Sequence, residues 1–452
     1  MSKYFFPLFF LFFISANSFA QTDNEIWTLT ECLDYAKENN ISIKQLELNI
    51  QSSKAQTTQA WAQLAPTANG SASHTWSYGL SFDNNSGILQ NQQYQNSFYA
   101  AQFNWVLFNG LSNYYSIMSQ QWQQKASTYN FEQAINDVQL NIAQLFLQLL
   151  FAQERLEIIL QQVAAMQQQV DRSQLLYEVG TITKGDFLLA QSSLATQQVN
   201  LANGENAVAG SKLSLIQALN LNKLDIKIEK PDFSKIKIED FKEESSLEDI
   251  FQYAMENTPI IKSKVATVWQ FKRSLTSARG SYYPSLSFGA TLSTTFSELR
   301  KDYTDPFNPV DIPYGTQLQQ NFGQQLSFRV TVPIFNGLNV RTNVKLAKIQ
   351  WLNSKLDLEN EQYKLKNTIQ KAYTDAKAAF KTYTANKLNL EALEETYTYA
   401  QDKYNVGVIT SVEFNDAANK YFNAKTELLL AQYDYILKTK VLDFYQGKKL
   451  EF

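Results

Sequence analysis

The chain has 452 residues, and its 40 Lys and Arg against 43 Asp and Glu give a formal net charge of −3 with no long basic run, which excludes a nucleic-acid footprint. One cysteine, Cys32, excludes an intrachain disulfide framework. Aromatic residues make up 13%, whereas only 15 Gly and 9 Pro interrupt the chain, so long regular elements are expected.

Residues 1–20 read as a secretory signal peptide. Lys3 precedes an apolar run from Phe5 to Ile14 that is too short to span a bilayer, and Ser18-Phe19-Ala20 suits a small-x-small cleavage site. An uncleaved anchor is the competing reading. Cleavage leaves Gln21 first, with no Cys there to carry a lipid anchor. No later stretch has the ~18 consecutive apolar residues of a membrane helix, which leaves a soluble, peripheral or β-barrel protein.

Residues 28–64 have helical periodicity, with Thr30 as the expected cap and Pro66 closing the element. Cys32 falls within this apolar pattern and reads as a small core residue. After Pro66 the period changes to two: Ala72, His74, Trp76, Tyr78, Leu80 and Phe82 alternate with Ser and Thr positions. A return strand follows with Tyr99, Ala101, Phe103, Trp105 and Leu107 on one face, so a strand pair covers 67–108 around a polar loop at about 83–95. His74, without neighbouring Cys or His, is not expected to bind metal. One face is small and hydroxyl-bearing and the other large and apolar, the alternation of a membrane β-strand between lumen and lipid. A half-buried hairpin of a soluble sandwich is the alternative, but it requires more strands than the sequence supplies.

A helix of roughly 100 Å is expected over 111–179. Its seam of Phe131, Ile135, Val138, Ile142, Leu145 and Leu149 continues to Val170 in alternating steps of four and three, the spacing of a left-handed supercoil. Gly180 supplies the left-handed stop in Tyr177-Glu178-Val179-Gly180, and Thr183 can cap a return helix over 183–220. Residues 222–246 form a charged linker with strand-like runs at 225–229 and 235–239.

The chain then repeats itself. Leu29–Ala36 returns as Leu247–Ala254 and Pro66 as Pro284, 218 residues later, whereas Phe108-Asn109-Gly110-Leu111 returns as Phe335-Asn336-Gly337-Leu338 and Tyr177–Gly180 as Tyr404–Gly407, 227 residues later. The nine-residue difference belongs to a loop at about 298–321. The repeats therefore cover 21–221 and 247–447, with a tail at 448–452. The second contains a strand pair at 285–335 (Leu286 to Phe296, then Leu326, Phe328, Val330, Val332 and Ile334), a long helix at 338–406 and a return helix at 410–446 capped by Thr410. Four strands cannot close a barrel, whose lower bound is about eight, and open edges in lipid are costly, so several chains must share one barrel.

The duplicated Tyr-x-x-Gly turns and Phe-Asn-Gly segments, the acids that follow each turn, and the Ala190, Ala417 and Asn423-Ala424-Lys425 stretches resemble the TolC family of outer-membrane efflux proteins across nearly all of the mature chain. The resemblance implies a mixed α and β membrane protein: a homotrimer whose four strands per chain close a 12-stranded outer-membrane β-barrel, continuous with a periplasmic α-helical coiled-coil barrel. It implies a periplasmic constriction at Asp186, Glu413 and Asp416. It also implies docking of a periplasmic adaptor at the turns, with Tyr177, Gly180, Tyr404 and Gly407 as candidates, and an inner-membrane RND or ABC transporter behind that adaptor. Carboxylates that merely complement the helix macrodipole are the competing explanation of the three acids, and turn folding that of the other four. Relatives often carry Arg two residues past the Gly, where Ile182 and Ile409 stand here. The implied function is a passive exit duct embedded in outer-membrane lipid, not an enzyme and without cofactor. The alternatives are the duct of a type I protein secretion system and a non-pore envelope-spanning scaffold or adhesin.

Overall fold

The computed structural model describes residues 26–83, 88–223, 225–231, 247–448 and 450. The expected signal peptide and the strand-like run at 235–239 lie outside the described residues.

The first helical stretch differs from expectation in two ways. Its cap is Thr28 and not Thr30: Thr28 has an extended backbone, and its hydroxyl accepts from Glu31 N at 3.2 Å while the Glu31 carboxylate accepts from Thr28 N at 2.8 Å. Thr30 already lies in the first turn. The stretch also breaks at Asn40, which is extended (ψ 126°) and whose side chain accepts from Ser42 N and Ile43 N, making two helices, α1 (Leu29–Asn39) and α2 (Ile41–Ala62). The second half breaks likewise at Thr258, between α5 (Leu247–Asn257) and α6 (Pro259–Gly280), with Pro259 at the first helical position.

Four antiparallel strands form one sheet: β2 (Thr67–Asp83), β3 (Ile88–Asn109), β5 (Ser285–Ser297) and β8 (Gly323–Thr331), in the order β2-β3-β5-β8. His74 faces Ser97, and their side chains hydrogen-bond at 2.8 Å. The first hairpin is longer than expected. Most of the loop placed at 83–95 is strand, because Asp83 pairs with Ile88. Gln90, Gln92, Gln93 and Gln95 make both faces polar there, which hides the period of two. The last strand is shorter than expected and ends at Thr331, so Val332 and Ile334 lie beyond it. Pro333, without an N–H, cannot continue the ladder. The connection before it is structured rather than irregular, with a ribbon of β6 (Lys301–Asp302) and β7 (Val310–Asp311) and a short helix α7 (Tyr314–Gln320). Buried Gln317 pins α7 through Ser297 N, Ser297 O and Ile312 O.

The long helices α3 (Ser112–Glu178) and α8 (Asn339–Asn405) each have 67 residues, and shorter helices α4 (Lys184–Leu219) and α9 (Ser411–Tyr445) return along them. Sheet passes into long helix through two consecutive left-handed residues, Gly110 (φ 67°) with Leu111 (φ 63°), and Gly337 (φ 61°) with Leu338 (φ 64°). At the first junction a Cβ on Gly110 would lie 2.1 Å from the carbonyl oxygen of Gly280, so only glycine fits.

The largest core gathers Cys32, Leu33 and Ala36 of α1 against Ile142, Phe146 and Leu149 of α3, Leu215 and Leu219 of α4, and Tyr433 of α9. Burial pushes the Cys32 thiol up to about 12. The described part of the linker joins this core: Ile226 is buried in it, and β4 (Lys227–Ile228) pairs in parallel with β1 (Ile26–Trp27).

Candidate functional site

Two features of the fold bear on function: a wall of strands continued by helices, and the pair of turns at its far end.

In the wall, α2 leads into β2, β3 into α3, α6 into β5, and β8 into α8. The helices pack side by side as α2, α3, α6, α8, the order of the strands they continue. Both outer edges, β2 with α2 and β8 with α8, are therefore without a lateral neighbour among the described residues. The sheet has one face of Trp76, Tyr78, Leu80, Leu326, Phe328 and Val330, all exposed; Tyr78 retains 71% of its surface and Leu326 72%. An apolar face this extensive on a soluble protein would be a liability, whereas in lipid it is the expected surface. The opposite face carries Ser71, Ser73, Thr75, Thr291, Ser293 and Gln325.

The far end is built from two near-copies of one turn. Gly180 (φ 80°) and Gly407 (φ 79°) supply the left-handed residue, and Thr181 N reaches back to Leu176 O as Val408 N does to Lys403 O. This is the 6→1 closure of a Schellman motif. Tyr177 stacks on Phe187 with ring centroids 5.8 Å apart, and Tyr404 on Phe414 at 4.9 Å. The expected docking residues Tyr177, Gly180, Tyr404 and Gly407 thus have evident parts in folding the turns. Val179 and Val406, between them, are exposed at the tips.

The three acids take distinct places. Asp186 completes a capping box with Thr183, and Glu413 does the same with Thr410 (Thr410 N to Glu413 Oε2, 2.8 Å). These are equivalent positions on two helices, α4 and α9, which approach each other where Asn415 donates to Ser193 at 3.4 Å. The Thr410 backbone N–H, and then its hydroxyl, hold the Glu413 carboxyl below its ordinary range, so it is ionised at neutral pH. Asp416, one turn on, is exposed and pairs with Lys420 at 2.6 Å.

Nothing in the sequence pattern distinguishes Arg172 of α3. Its guanidinium donates to Asn405 Oδ1 at 2.8 Å and also to Asn405 O, and lies 5.5 Å over the Tyr404 ring. It ties one long helix to the tip of the other. Ile409, where relatives often carry Arg, instead packs against a small core of Met166, Phe414 and Ala418. The signal available in the sequence was a cation near the end of a Gln-rich helix, and nothing in its spacing named a partner.

The model of the outer membrane efflux protein family matches residues 32–221 and again 250–447. The outer membrane protein TolC of Escherichia coli is 21% identical over 302 residues, 66% of this chain but only 59% of TolC, less than two thirds of that relative's length. The cation efflux system protein CusC of Escherichia coli is 24% identical over 426 residues, 91% of this chain and 84% of CusC. Among solved structures, a CusC structure described in terms of folding and transmembrane channel formation superposes with a TM-score of 0.76 over 95% of this chain and 96% of that one, at 16% identity. The outer membrane protein VceC of Vibrio cholerae superposes with a TM-score of 0.75 over 94% and 97%, at 14% identity. At these identities the structural likenesses speak for the fold.

Proposed function

The chain belongs to the outer membrane efflux protein family, and from that premise we propose that it is the outer-membrane exit duct of a tripartite efflux system. It passively conducts substrates that an inner-membrane transporter, of the RND or ABC class, delivers through a periplasmic adaptor. The observation that carries this reading is the wall with two free edges. Four strands in one sheet are too few to close, and copies joined edge to edge are the economical way to pair β2 with β8. Three copies supply twelve strands and, below them, twelve helices. At about 9 Å between axes, twelve helices enclose a ring of roughly 17 Å radius. Six more helices inside would form a second ring of about 9 Å radius and fill the duct, so α1 and α5 lie outside and the Ser-, Thr- and Gln-rich face lies inside.

The tips are the periplasmic end. With Glu413 held ionised by its cap, three copies place three fixed negative charges around the axis, with Asp416 one turn above and Asp186 on the neighbouring helix. Such rings favour cations and restrict flow. Val179 and Val406, with Tyr177, Gly180, Tyr404 and Gly407 behind them, present the surface an adaptor meets.

The test is single-channel recording in planar bilayers together with the mass of the purified assembly. The expected result is a cation-preferring pore from a trimer, with higher conductance and weaker cation preference in Glu413→Ala/Asp416→Ala. A trimeric pore unaltered by that pair removes the two acids from the constriction, and absence of any pore overturns the duct.

A further inference from the structure

The periplasmic part of the wall nearest the sheet is charged in one sense only. Residues 51–62 of α2, 112–131 of α3, 259–280 of α6 and 339–356 of α8 contain one, one, five and four Lys or Arg and not a single Asp or Glu, in a chain whose net charge is −3. Each segment also carries one Trp: Trp61, Trp122, Trp269 and Trp351. Trp122 and Trp269 stack at 5.9 Å across the α3–α6 contact. Lys125 and Lys272 each lie 4.4 Å over one of these rings, and Lys355 lies 4.1 Å over Trp351. Nε1 of Trp351 and Nε of Arg273 are buried donors without a partner among the described residues.

Helical spacing gives the side of the wall. Residues seven apart share a stripe in a supercoiled helix. Trp122, Tyr129, Asn136 and Ala143 form one stripe of α3, and Ala143 packs in the core with Cys32, Leu33 and Ala36 of α1. Arg341, Lys348, Lys355, Gln362 and Ile369 form one stripe of α8, and Ile369 packs in the core with Ile250 of α5. Lys272 of α6 lies about three helical turns from Ile261, which packs in the same α5 core. Trp122, Lys272, Arg341, Lys348 and Lys355 are therefore on the α1 and α5 side. The opposite stripes, Asn113, Gln120 and Ser127 of α3 and Asn343 and Gln350 of α8, are polar and uncharged.

We propose that this belt binds anionic phospholipid headgroups of the inner leaflet of the outer membrane. The inference rests on the duct reading, which makes the α1 and α5 side the outside and the apolar sheet face the lipid surface. The belt continues that apolar face downward. Arg341 lies at the top of α8, and Lys348 and Lys272 follow about 12–14 Å below the sheet-proximal ends of their helices by helix rise. Their flexible stems carry the charge back toward the headgroups. Trp rings suit the boundary between hydrocarbon and water, and clustered cations without acids select phosphate of net negative charge over zwitterionic headgroups. Arg341, Lys348, Lys355, Lys272 and Lys125 are all exposed.

The test uses the mature assembly purified in mild detergent, mixed with phosphatidylglycerol or phosphatidylcholine and examined by native mass spectrometry. Wild type is expected to retain phosphatidylglycerol in preference, and Lys272→Gln/Arg341→Gln/Lys348→Gln to retain about fivefold less, with Lys125→Gln/Lys355→Gln, farther from the sheet, showing a smaller loss. All five side chains are exposed, so the variants keep their cores. Equal retention by wild type and the triple variant overturns the proposal. So does co-sedimentation of wild type, but not the variant, with purified peptidoglycan in the absence of any lipid preference, because the belt would then be a glycan site. Bilayer conductance of the same samples separates the two readings: a pore without lipid preference leaves the duct and removes the belt, whereas selective retention without a pore removes the duct.

Discussion

Arg172 carries the most direct consequence at the scale of single residues. It joins the α3 tip region to Asn405 at the end of α8, the point where the tips must part if the duct opens by their separation. Arg172→Ala is expected to raise single-channel conductance without loss of the trimer; an unchanged conductance means that this contact does not hold the tips. Glu413 gives a prediction in pH. Its folded pKa lies below the ordinary value of 4.5, so its contribution to the α9 cap is complete above that value and is lost as pH falls through the folded pKa. Hydrogen exchange at the first amides of α9, corrected for intrinsic rate, should be equally slow at neutral and mildly acidic pH and accelerate only once the pH has fallen below the ordinary carboxylate value. Acceleration already near neutrality would contradict the assignment. Cys32 is fully buried with its thiol pushed up to about 12. It should resist maleimide at pH 8 until the protein unfolds, and prompt labelling of the native form would show that the α1 core opens. Cys32 was legible in the sequence as a core residue because its neighbours repeat with helical period. Arg172 was not, because its partner lies 233 positions away and only the fold brings them together.

The elements show where local chemistry decides and where context does. Capping boxes at Thr183 and Thr410 follow directly from Thr-x-x-Asp and Thr-x-x-Glu. Thr30 suits the start of α1 by helical period alone, but the box pattern itself, Thr28-x-x-Glu31, stands two residues earlier and sets the cap. The break at Asn40 was signalled by an Asn before an apolar run, yet the periodicity on both sides masked it. The Gln-rich start of β3 was invisible for the opposite reason, since strand pairing with β2 holds it where side-chain alternation is absent. Gly110 and Gly337 look alike in sequence but not in structure: a Cβ at Gly110 meets Gly280, whereas Gly337 has open space around it. Gly110→Ala should therefore depress thermal stability far more than Gly337→Ala, which bears only the cost of its positive φ; equal melting shifts would show that the Gly110–Gly280 approach relaxes. Near the C-terminal end of α3, buried Gln169 has neither amide atom paired among the described residues. Gln169→Leu should raise stability by about 1 kcal/mol in chemical denaturation, and a loss would reveal a partner for that amide in the assembly.

At the scale of the whole molecule, strand order and helix order coincide, and each strand runs into the helix beneath it. The sequence contained this plan as two spaced copies of one pattern, with helical period passing to period two and back. What it lacked was lateral order, which depends on pairing between β3 and β5 across the two halves. The same arrangement makes one chain incomplete. Among the described residues it exposes an apolar sheet face and leaves β2 and β8 without partners on their outer edges, and on the proposed reading both needs would be met at once by copies of itself in lipid. The most direct measurement is the mass of the detergent-extracted particle, taken alongside its conductance in a planar bilayer. Three chains forming a conducting pore is the result the account predicts; a single folded chain that remains dispersed in aqueous buffer without detergent would contradict it.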